Sequence, residues 1–235
     1  MRPISAALII LLALCGTAAA QEFETTFHDY DLVGYRSLGA AGALQTFEPR
    51  SDNSLPDSLA IRFDSPMFFL EFRQMDLRIA ASYSHYTLHG EGKSSYSIYA
   101  DGSTDLPVSA RRSGGLYIPI IVATNYVRAE GLGTSSGIFD VGSIGIGTGL
   151  KYRYLSEAFG LQLSGGAVIH YSTVGFSIEN GSSVAARGEF QLLLPELLWS
   201  GMTIGYRFET QQWRMSEAKF NYMRRYHAAF LGIFF

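Results

Sequence analysis

Two successive segments of the chain alternate strictly between apolar side chains and small or polar ones. Residues 143–154 and 159–171 both keep a period of two for more than ten positions, and a short turn at 156–158 separates them. Strands of soluble domains average about 5 to 6 residues, so alternation of this length is typical of membrane-spanning β-strands. Aromatic residues end both segments, as in the interfacial belts of membrane proteins. The apolar face consists of Ile144, Ile146, Leu150, Tyr152, Tyr154, Phe159, Leu161, Leu163, Ala167, Ile169 and Tyr171.

The rest of the chain contains further segments of this kind. Ten segments are predicted to be strands, and the count falls to nine if residues 95–100 form a loop. Single-chain bacterial barrels have even numbers of strands. The sequence therefore predicts an all-β fold, a ten-stranded antiparallel transmembrane β-barrel, with eight strands as the alternative. The predicted strands are residues 33–48, 59–73, 77–84, 95–100, 116–126, 143–154, 159–171, 186–194, 202–209 and 226–235.

Some stretches are predicted to depart from plain strands. The alternation changes phase at Ser65 and Pro66, which predicts a β-bulge or a bend, because proline cannot donate to a ladder. Residues 101–115 are polar and predict a long connection, and 211–221, which include Trp213, predict the last loop. Residues 178–183 also predict a polar loop.

The N-terminus has the layout of a secretory signal peptide. Arg2 precedes an apolar run from Ile4 to Cys15, which is too short to span a bilayer as a helix, and small residues follow up to Ala20. Residues 1–20 are thus predicted to be a cleaved leader and 21–235 the barrel domain. A lipoprotein anchored at Cys15 is the alternative, although Leu14 is larger than the residue that usually precedes a lipidated cysteine.

Cleavage after Ala20 would remove the only cysteine, so no disulfide and no cysteine-bound metal is expected. The remaining chain has 17 basic and 21 acidic residues and no basic block. This composition argues against a nucleic-acid partner. Neither a metal site nor a cofactor is predicted, since His85 and His89 stand four apart across a strand and a loop and are expected to be rim residues.

The last ten residues predict a strand with Phe235, Ile233 and Leu231 on its outer face and Gly232 on its inner face. This stretch resembles the C-terminal signal of bacterial outer-membrane β-barrels. The resemblance implies that Phe235, Ile233 and Leu231 form an insertion signal, that the barrel-assembly machinery is a partner, and that the strand ends in the periplasm. Short turns near 74, 157 and 195 then fall on the periplasmic side and longer loops fall outside, as is usual for such barrels.

A second resemblance lies in residues 117–121, which have the sequence Tyr-Ile-Pro-Ile-Ile. They are similar to the Y-x-I-P-L-L strand of small porin-like barrels common in Bacteroidota. Pro119 conflicts with a position inside a closed barrel, where no free edge accommodates a missing N–H.

The predicted strands direct charges of both signs into the lumen. An ion-paired plug would satisfy these groups without a water-filled path, whereas a narrow pore with its excess of Arg and Lys would favour anions. Inward glycines at 145, 147, 149 and 166 are expected to leave space on the inner wall, so that Gly147→Ser should be mild. The predicted lumen residues are Glu71, Arg73, Arg78, Lys151, Arg153, His170, Arg187, Glu189, Arg207 and Glu209.

The turn at Pro195 sets an expected register between two of the charged strands. A tight turn there places Arg187 opposite Gly205 and Glu189 opposite Thr203, so the arginines on these strands would need carboxylates from elsewhere in the barrel.

His170, Tyr171 and Ser172 resemble the H-x-S pair of outer-membrane lipid A deacylases, in which histidine is the base and serine the nucleophile. The resemblance makes His170 and Ser172 candidate catalytic residues. The family continues with Asn, where this chain has Thr173, and the alternation directs both side chains into the lumen instead of toward lipid.

Together these features predict a small bacterial outer-membrane protein in contact with outer-membrane lipid. The favoured role is porin-like or structural, with a largely plugged lumen and no enzymatic activity. A lipid-modifying hydrolase and a conduit for small or hydrophobic solutes are the alternatives. The sequence names no cargo and no external ligand.

Overall fold

A computed structural model describes residues 36–234, except for positions 75, 112–113, 132–137, 157, 176–178 and 196–200. The predicted leader and Phe235 lie outside the described residues. Ten strands account for most of the described chain: β1 Arg36–Pro49, β2 Phe63–Gln74, β3 Leu77–Leu88, β4 Glu91–Arg111, β5 Gly114–Ala129, β6 Phe139–Leu155, β7 Gly160–Val174, β8 Asn180–Leu194, β9 Met202–Met215 and β10 Tyr222–Phe234.

The strands form one closed antiparallel barrel in which each strand pairs with its neighbours in sequence. Closure is made by β1 and β10, which pair from Ser37 with Phe234 to Pro49 with Tyr222. The predicted ten-stranded antiparallel barrel is therefore confirmed. No helix in the described part of the chain is long and apolar enough to cross a membrane.

The two ends of the barrel differ in their connections. At the end where β1 begins and β10 finishes, which we call the terminal end, lie the turns after β2, β4, β6 and β8. The opposite end, the loop end, carries the connections at 50–62, 89–90, 130–138, 175–179 and 216–221. The last of these contains a short 3-10 turn, Ala218–Phe220.

The wall is apolar on the outside and polar on the inside. Ile146 and Ile169 keep 64% and 66% of their surface exposed, whereas Arg78 and Arg207 are buried. This is the reverse of the distribution in soluble proteins, where charged side chains are almost never fully buried. The alternation predicted for 143–171 is thus confirmed. Other exposed apolar side chains include Leu38, Leu44, Phe68, Leu70, Ile98, Ile120, Val122, Ile144, Leu150, Leu163, Val184, Phe190, Ile204, Leu231 and Ile233.

Residues 101–115 are mostly strand, so the predicted polar connection is wrong. β4 and β5 pair from Ser95 with Ala129 down to Arg111 with Gly114. Pairing between β3 and β4 stops at Leu77 and Gly102, and the N–H of Ser103 donates to the carbonyl of Asp76 at 3.2 Å. Residues 104–111 therefore have a ladder partner only on the β5 side. Val108 is an extra residue at a bulge between Pro107 and Ser109. The prediction failed because a strand with polar residues on both faces has the composition of a loop.

Two other predicted boundaries are also wrong. β9 continues through Gln211 and Trp213 to Met215, with these three side chains buried inside the barrel, so the last loop is shorter than predicted. β8 begins at Asn180, within the predicted loop 178–183. In both places the strand extends beyond the apolar band of the outer wall. Its outward side chains there are no longer apolar, so the alternation that indicated a strand is absent.

No bulge occurs at Ser65 and Pro66. β1 and β2 pair without interruption, and Pro66 lies opposite Leu44 with its side chain on the exposed face. The change of phase in the sequence arises because Phe63 turns inward to an apolar cluster, not because the backbone is irregular.

Pro119 is accommodated by a local gap in one ladder. Pairing between β5 and β6 runs from Gly114 to Tyr117 and resumes at Ile120, so residues 118 and 119 are skipped. The hydroxyl of Thr148 donates to the carbonyl of Pro119 at 2.9 Å. A side-chain hydrogen bond thus replaces part of the ladder.

The inward glycines do not leave free space, contrary to the prediction. A Cβ at Gly149 would lie 2.0 Å from the carbonyl oxygen of Gly165, and one at Gly147 would lie 2.1 Å from that of Ala167. These glycines allow β6 and β7 to approach closely, and we expect Gly147→Ser to be destabilising instead of mild.

We expect Gly149→Ala to destabilise the barrel by about 1 to 3 kcal/mol, the usual cost of overpacking. The matched control is Gly188→Ala on the outer face, where an added Cβ meets nothing within 4 Å. Urea unfolding in lipid vesicles measures both changes. Equal effects of the two substitutions would contradict the assigned close approach.

Candidate functional site

The candidate site is the charged lumen in the half of the barrel near the terminal end. At its centre two carboxylates, Glu71 and Glu189, lie between Arg73 and Arg207. Arg73 donates two hydrogen bonds to Glu189, at 2.7 and 2.9 Å, and one to Glu71. Arg207 reaches Glu71 at 2.8 Å and Glu189 at 2.5 Å. Paired charge-assisted bonds of this kind are the strongest in proteins.

A third carboxylate continues the network along the wall. Asp101 accepts from Nε of Arg78 at 2.9 Å and forms an ion pair with Arg187. Arg187 also donates to the hydroxyl of Tyr99 at 2.9 Å. Because Arg78 lies 3.9 Å from both Glu71 and Glu189, it joins this pair to the central one.

A second cluster lies nearer the terminal end. Nζ of Lys151 contacts Asp76 at 2.8 Å and Asp105 at 2.7 Å. Arg153 lies 3.5 Å from Asp76 and 3.6 Å from Asp105. The projecting β4–β5 hairpin supplies Asp105, and the turn between β2 and β3 supplies Asp76.

Three of the lumen carboxylates were not predicted. Asp101 and Asp105 fall in the stretch expected to be a loop, and Asp76 falls in a turn, so none was placed in the lumen. With them, the six basic residues predicted there face six carboxylates, because Glu209 is inside as well. The expected excess of Arg and Lys among the predicted lumen residues is thereby balanced.

The predicted register of the last charged strands is wrong. Glu189 pairs with Arg207, and Arg187 pairs with Glu209. The error arose from the turn after Leu194, which was taken as tight, whereas β9 begins only at Met202. The two arginines consequently have carboxylates directly opposite them.

Aromatic rings and a tyrosine hydroxyl also contact the charged groups of the lumen. The guanidinium groups of Arg73 and Arg207 lie 5.3 and 5.4 Å from the ring centre of Phe230, and that of Arg78 lies 4.2 Å from the ring of Tyr99. These are cation–π distances. The hydroxyl of Tyr226 donates to Glu209 at 2.8 Å.

Between the charges and the loop end, neutral polar side chains point into the lumen. The amide nitrogen of Gln45 lies within hydrogen-bond distance, 2.7 to 3.2 Å, of the hydroxyls of Ser65, Ser84 and Ser95. On the opposite wall Asn125 donates to Gln211 at 2.8 Å. Buried polar groups of this kind need such partners.

The candidate catalytic pair is not assembled as a dyad. Ser172 is hydrogen bonded to Ser143 at 2.8 Å and to Ser183 at 3.2 Å. Both ring nitrogens of His170 are buried without a hydrogen-bond partner, so the histidine does not contact the serine as a base would. Both residues face the lumen, as the alternation predicted.

An apolar cluster lies inside the barrel at the loop end. Trp213 is fully buried, and its ring lies 5.0 Å from that of Phe139 and 6.3 Å from that of Phe47. Phe47 also stacks on Tyr222 at 5.1 Å. The cluster consists of Phe47, Ile61, Phe63, Tyr86, Leu88, Val127, Ala129, Phe139, Val141, Trp213, Met215, Phe220 and Tyr222.

The first loop folds over this apolar cluster. The N–H of Ile61 donates to the hydroxyl of Tyr222 at 3.0 Å, and Asn53 donates to the carbonyl of Asn221 at 3.0 Å. On the exposed side of this loop, a hydrogen bond from Arg50 lowers the pKa of the Asp52 carboxyl. His85 and His89 are exposed in this half of the barrel, and no group of three or more His, Cys, Asp or Glu among the described residues could hold a metal ion.

A small cavity lies among the charges. Its volume is about 60 Å³, and Arg73, Arg78, Lys151, Arg187 and Glu189 contribute to its lining. Sites for drug-sized ligands occupy ~300 to 1,000 Å³. The cavity is therefore on the scale of a few water molecules.

Comparison with solved structures finds bacterial outer-membrane β-barrels at low identity. The alignment with neisserial surface protein A has 13% identity and a TM-score of 0.32, and it covers 85% of this chain and 97% of that one. The N-terminal β-barrel domain of Pseudomonas aeruginosa OprF aligns with 14% identity and a TM-score of 0.33, over 86% of this chain and 99% of that one. The Escherichia coli outer-membrane protease OmpT aligns with 8% identity and a TM-score of 0.34, over 89% of this chain and 100% of that one. No protein-family model and no curated protein matches the sequence. At this level of similarity no site residue and no activity is transferred to this chain.

Proposed function

We propose that the protein is a bacterial outer-membrane β-barrel with its terminal end in the periplasm. The apolar outer wall supports this proposal, because Leu, Ile, Val and Phe side chains exposed all around a barrel with a charged interior require an apolar solvent. A predicted leader, a strand with Leu231 and Ile233 outward, and the resemblance of residues 117–121 to Bacteroidota porin-like barrels agree with it. Recognition of Phe235 by the assembly machinery remains a prediction.

We further propose that the lumen is closed and that the protein is a membrane scaffold that presents its loops outside. The pairing of lumen charges is the observation that carries this proposal. The six basic side chains predicted for the lumen face six carboxylates, with Glu71 and Glu189 each contacting two or more arginines. A seventh basic side chain, Arg224, is buried and lies 5.4 Å from the ring centre of Tyr226. Such a network leaves few charges free to attract a permeating ion. An ion that crossed the barrel would also have to pass the apolar cluster around Trp213 at the loop end.

We expect the wild-type protein to conduct negligibly in planar lipid bilayers. The paired charges and the apolar cluster would each oppose a continuous water path. Single-channel recording measures conductance, and heat-modifiable migration in detergent gels shows that the sample is a folded barrel. An open general porin recorded in the same membranes is the positive control. A steady conductance from the heat-modifiable form would overturn the closed lumen and favour the solute conduit.

The lipid hydrolase is the less supported alternative. Ser172 is hydrogen bonded to other serines rather than to His170, and both lie inside the wall. A conduit for hydrophobic solutes receives no support from the lumen, which is charged along the half near the terminal end.

A further inference from the structure

The outer wall carries an open apolar groove. Its volume is about 500 Å³, and the side chains around it come from β5 to β9. This volume lies within the range of ligand sites. Its apolar lining consists of Leu116, Leu150, Tyr152, Leu163, Phe190, Tyr206 and Phe208, together with Gly165 and Gly188.

Two adjacent glycines make the floor of this groove. Gly165 on β7 pairs with Gly188 on β8, and both positions face outward. Their partners on the next strands are large, since Gly165 also pairs with Leu150 and Gly188 with Phe208. The floor is thus backbone, and the flanking strands provide raised apolar walls.

The same part of the wall borders the small cavity in the lumen. Ser164, Gly165 and Glu189 contribute to both the groove and the cavity. Gly166, which lines the cavity, faces inward beside the outward Gly165. Since Gly165 lines both, only backbone lies between the groove and the cavity at this position.

The dimensions of the groove suit a single hydrocarbon chain. Leu150 and Phe208 are separated by three strand spacings, ~14 Å between backbones, and their side chains narrow this opening from both sides. An α-helix with side chains is ~10 to 12 Å wide, nearly the full distance between these backbones, so a single acyl chain matches the narrowed opening better. A second copy would place an identical concave surface opposite this one, and two grooves facing each other do not fill each other.

The position of the groove on the barrel indicates which membrane leaflet would supply this hydrocarbon chain. Leu163, Phe190 and Tyr206 each lie within a few residues of the terminal end of their strands. In the proposed orientation this half of the wall faces the periplasmic leaflet, which consists of phospholipid. No charged side chain projects outward among the residues that line the groove, because Glu189 points into the lumen.

We propose that this groove is a binding site for one acyl chain of a membrane phospholipid. The proposal rests on the proposed membrane location and adds a specific lipid site to it. An acyl chain held between Leu150 and Phe208 exchanges more slowly with bulk lipid than chains on the rest of the outer wall.

Photo-crosslinking in vesicles tests this site. The purified barrel is inserted into phosphatidylcholine vesicles with a trace of phosphatidylcholine that carries a diazirine on its acyl chain. After irradiation and digestion, mass spectrometry compares labelling at Leu163 and Phe190 with labelling at Leu44 and Leu70 on the opposite wall. We expect enrichment of about tenfold at the groove, equivalent to about 1.4 kcal/mol of preferential contact.

Two phenylalanine substitutions provide matched variants. An added Cβ meets nothing within 4 Å at either Gly188 or Gly42, and both face outward. Gly188→Phe fills the groove and is expected to lower its labelling to the level of the opposite wall. Gly42→Phe, on β1, should leave the ratio unchanged.

Equal labelling of both walls in the wild-type protein would overturn the acyl-chain site while leaving the membrane barrel intact. Enrichment that persists in a heat-modifiable Gly188→Phe barrel would overturn it too. If neither the groove nor the opposite wall is labelled, the result would instead contradict the membrane location.

Discussion

Arg207→Ala is expected to lower the free energy of unfolding by about 3 to 5 kcal/mol, the usual effect of removing one partner from a buried ion pair. Arg207 contacts Glu71 at 2.8 Å and Glu189 at 2.5 Å, and its side chain is almost completely buried. Without it, Arg73 is the only cation in the described part of the chain within hydrogen-bond distance of these two carboxylates, because Arg78 lies 3.9 Å away.

Urea unfolding in lipid vesicles measures this change, with the heat-modifiable gel shift as readout. Arg214→Ala is the control, since the Arg214 side chain is 72% exposed and lies 3.9 Å from Asp52; surface changes of this kind usually stay within about 0.5 kcal/mol. Adding Glu189→Gln to Arg207→Ala removes one stranded charge and should recover part of the loss. Full stability of Arg207→Ala would indicate a hydrated lumen and contradict the closed network.

Ile146→Arg is expected to destabilise the protein by about 2 to 4 kcal/mol, the cost of a charged residue on the lipid face near the bilayer midplane. Ile146 lies near the middle of β6 and is among the most exposed aliphatic side chains of the outer wall. An arginine at this position would have to extend along the wall to reach the polar headgroups.

The same urea assay measures this effect. Leu59→Arg is the matched control because Leu59 is also exposed, at 46%, but belongs to the connection between β1 and β2 at the loop end. Its expected cost is close to zero. Similar effects at the two positions would mean that Ile146 does not face hydrocarbon and that the apolar band has another role.

The alternation of apolar and polar side chains determined which strands of the barrel wall could be predicted from the sequence. Where the outer face is apolar and the inner face polar, as in 143–171, the alternation alone gave both the strands and their faces. Beyond the apolar band this contrast disappears, so the polar hairpin around Asp105 and the end of β9 at Trp213 were mistaken for loops.

The ion network was only partly predictable. Alternation placed Glu71, Arg73, Glu189 and Arg207 inside the barrel, as the structure does, but it could not assign partners. Arg73 and Glu189 lie 116 positions apart in sequence, and they meet only because the sheet closes and its register brings them to the same level. Local pattern contains no information on closure, and an incorrect turn length after Leu194 was enough to misalign Arg207.

The projecting hairpin has a consequence for the chain before it reaches a membrane. A strand edge with unpaired N–H and C=O groups can template the addition of strands from other molecules, and this leads to aggregation. On β4, residues 104–111 have such an edge, but Pro107 has no N–H, and the extra residue Val108 interrupts the regular spacing. We therefore expect the irregularities that shape this hairpin to hinder the nucleation of intermolecular sheets in water.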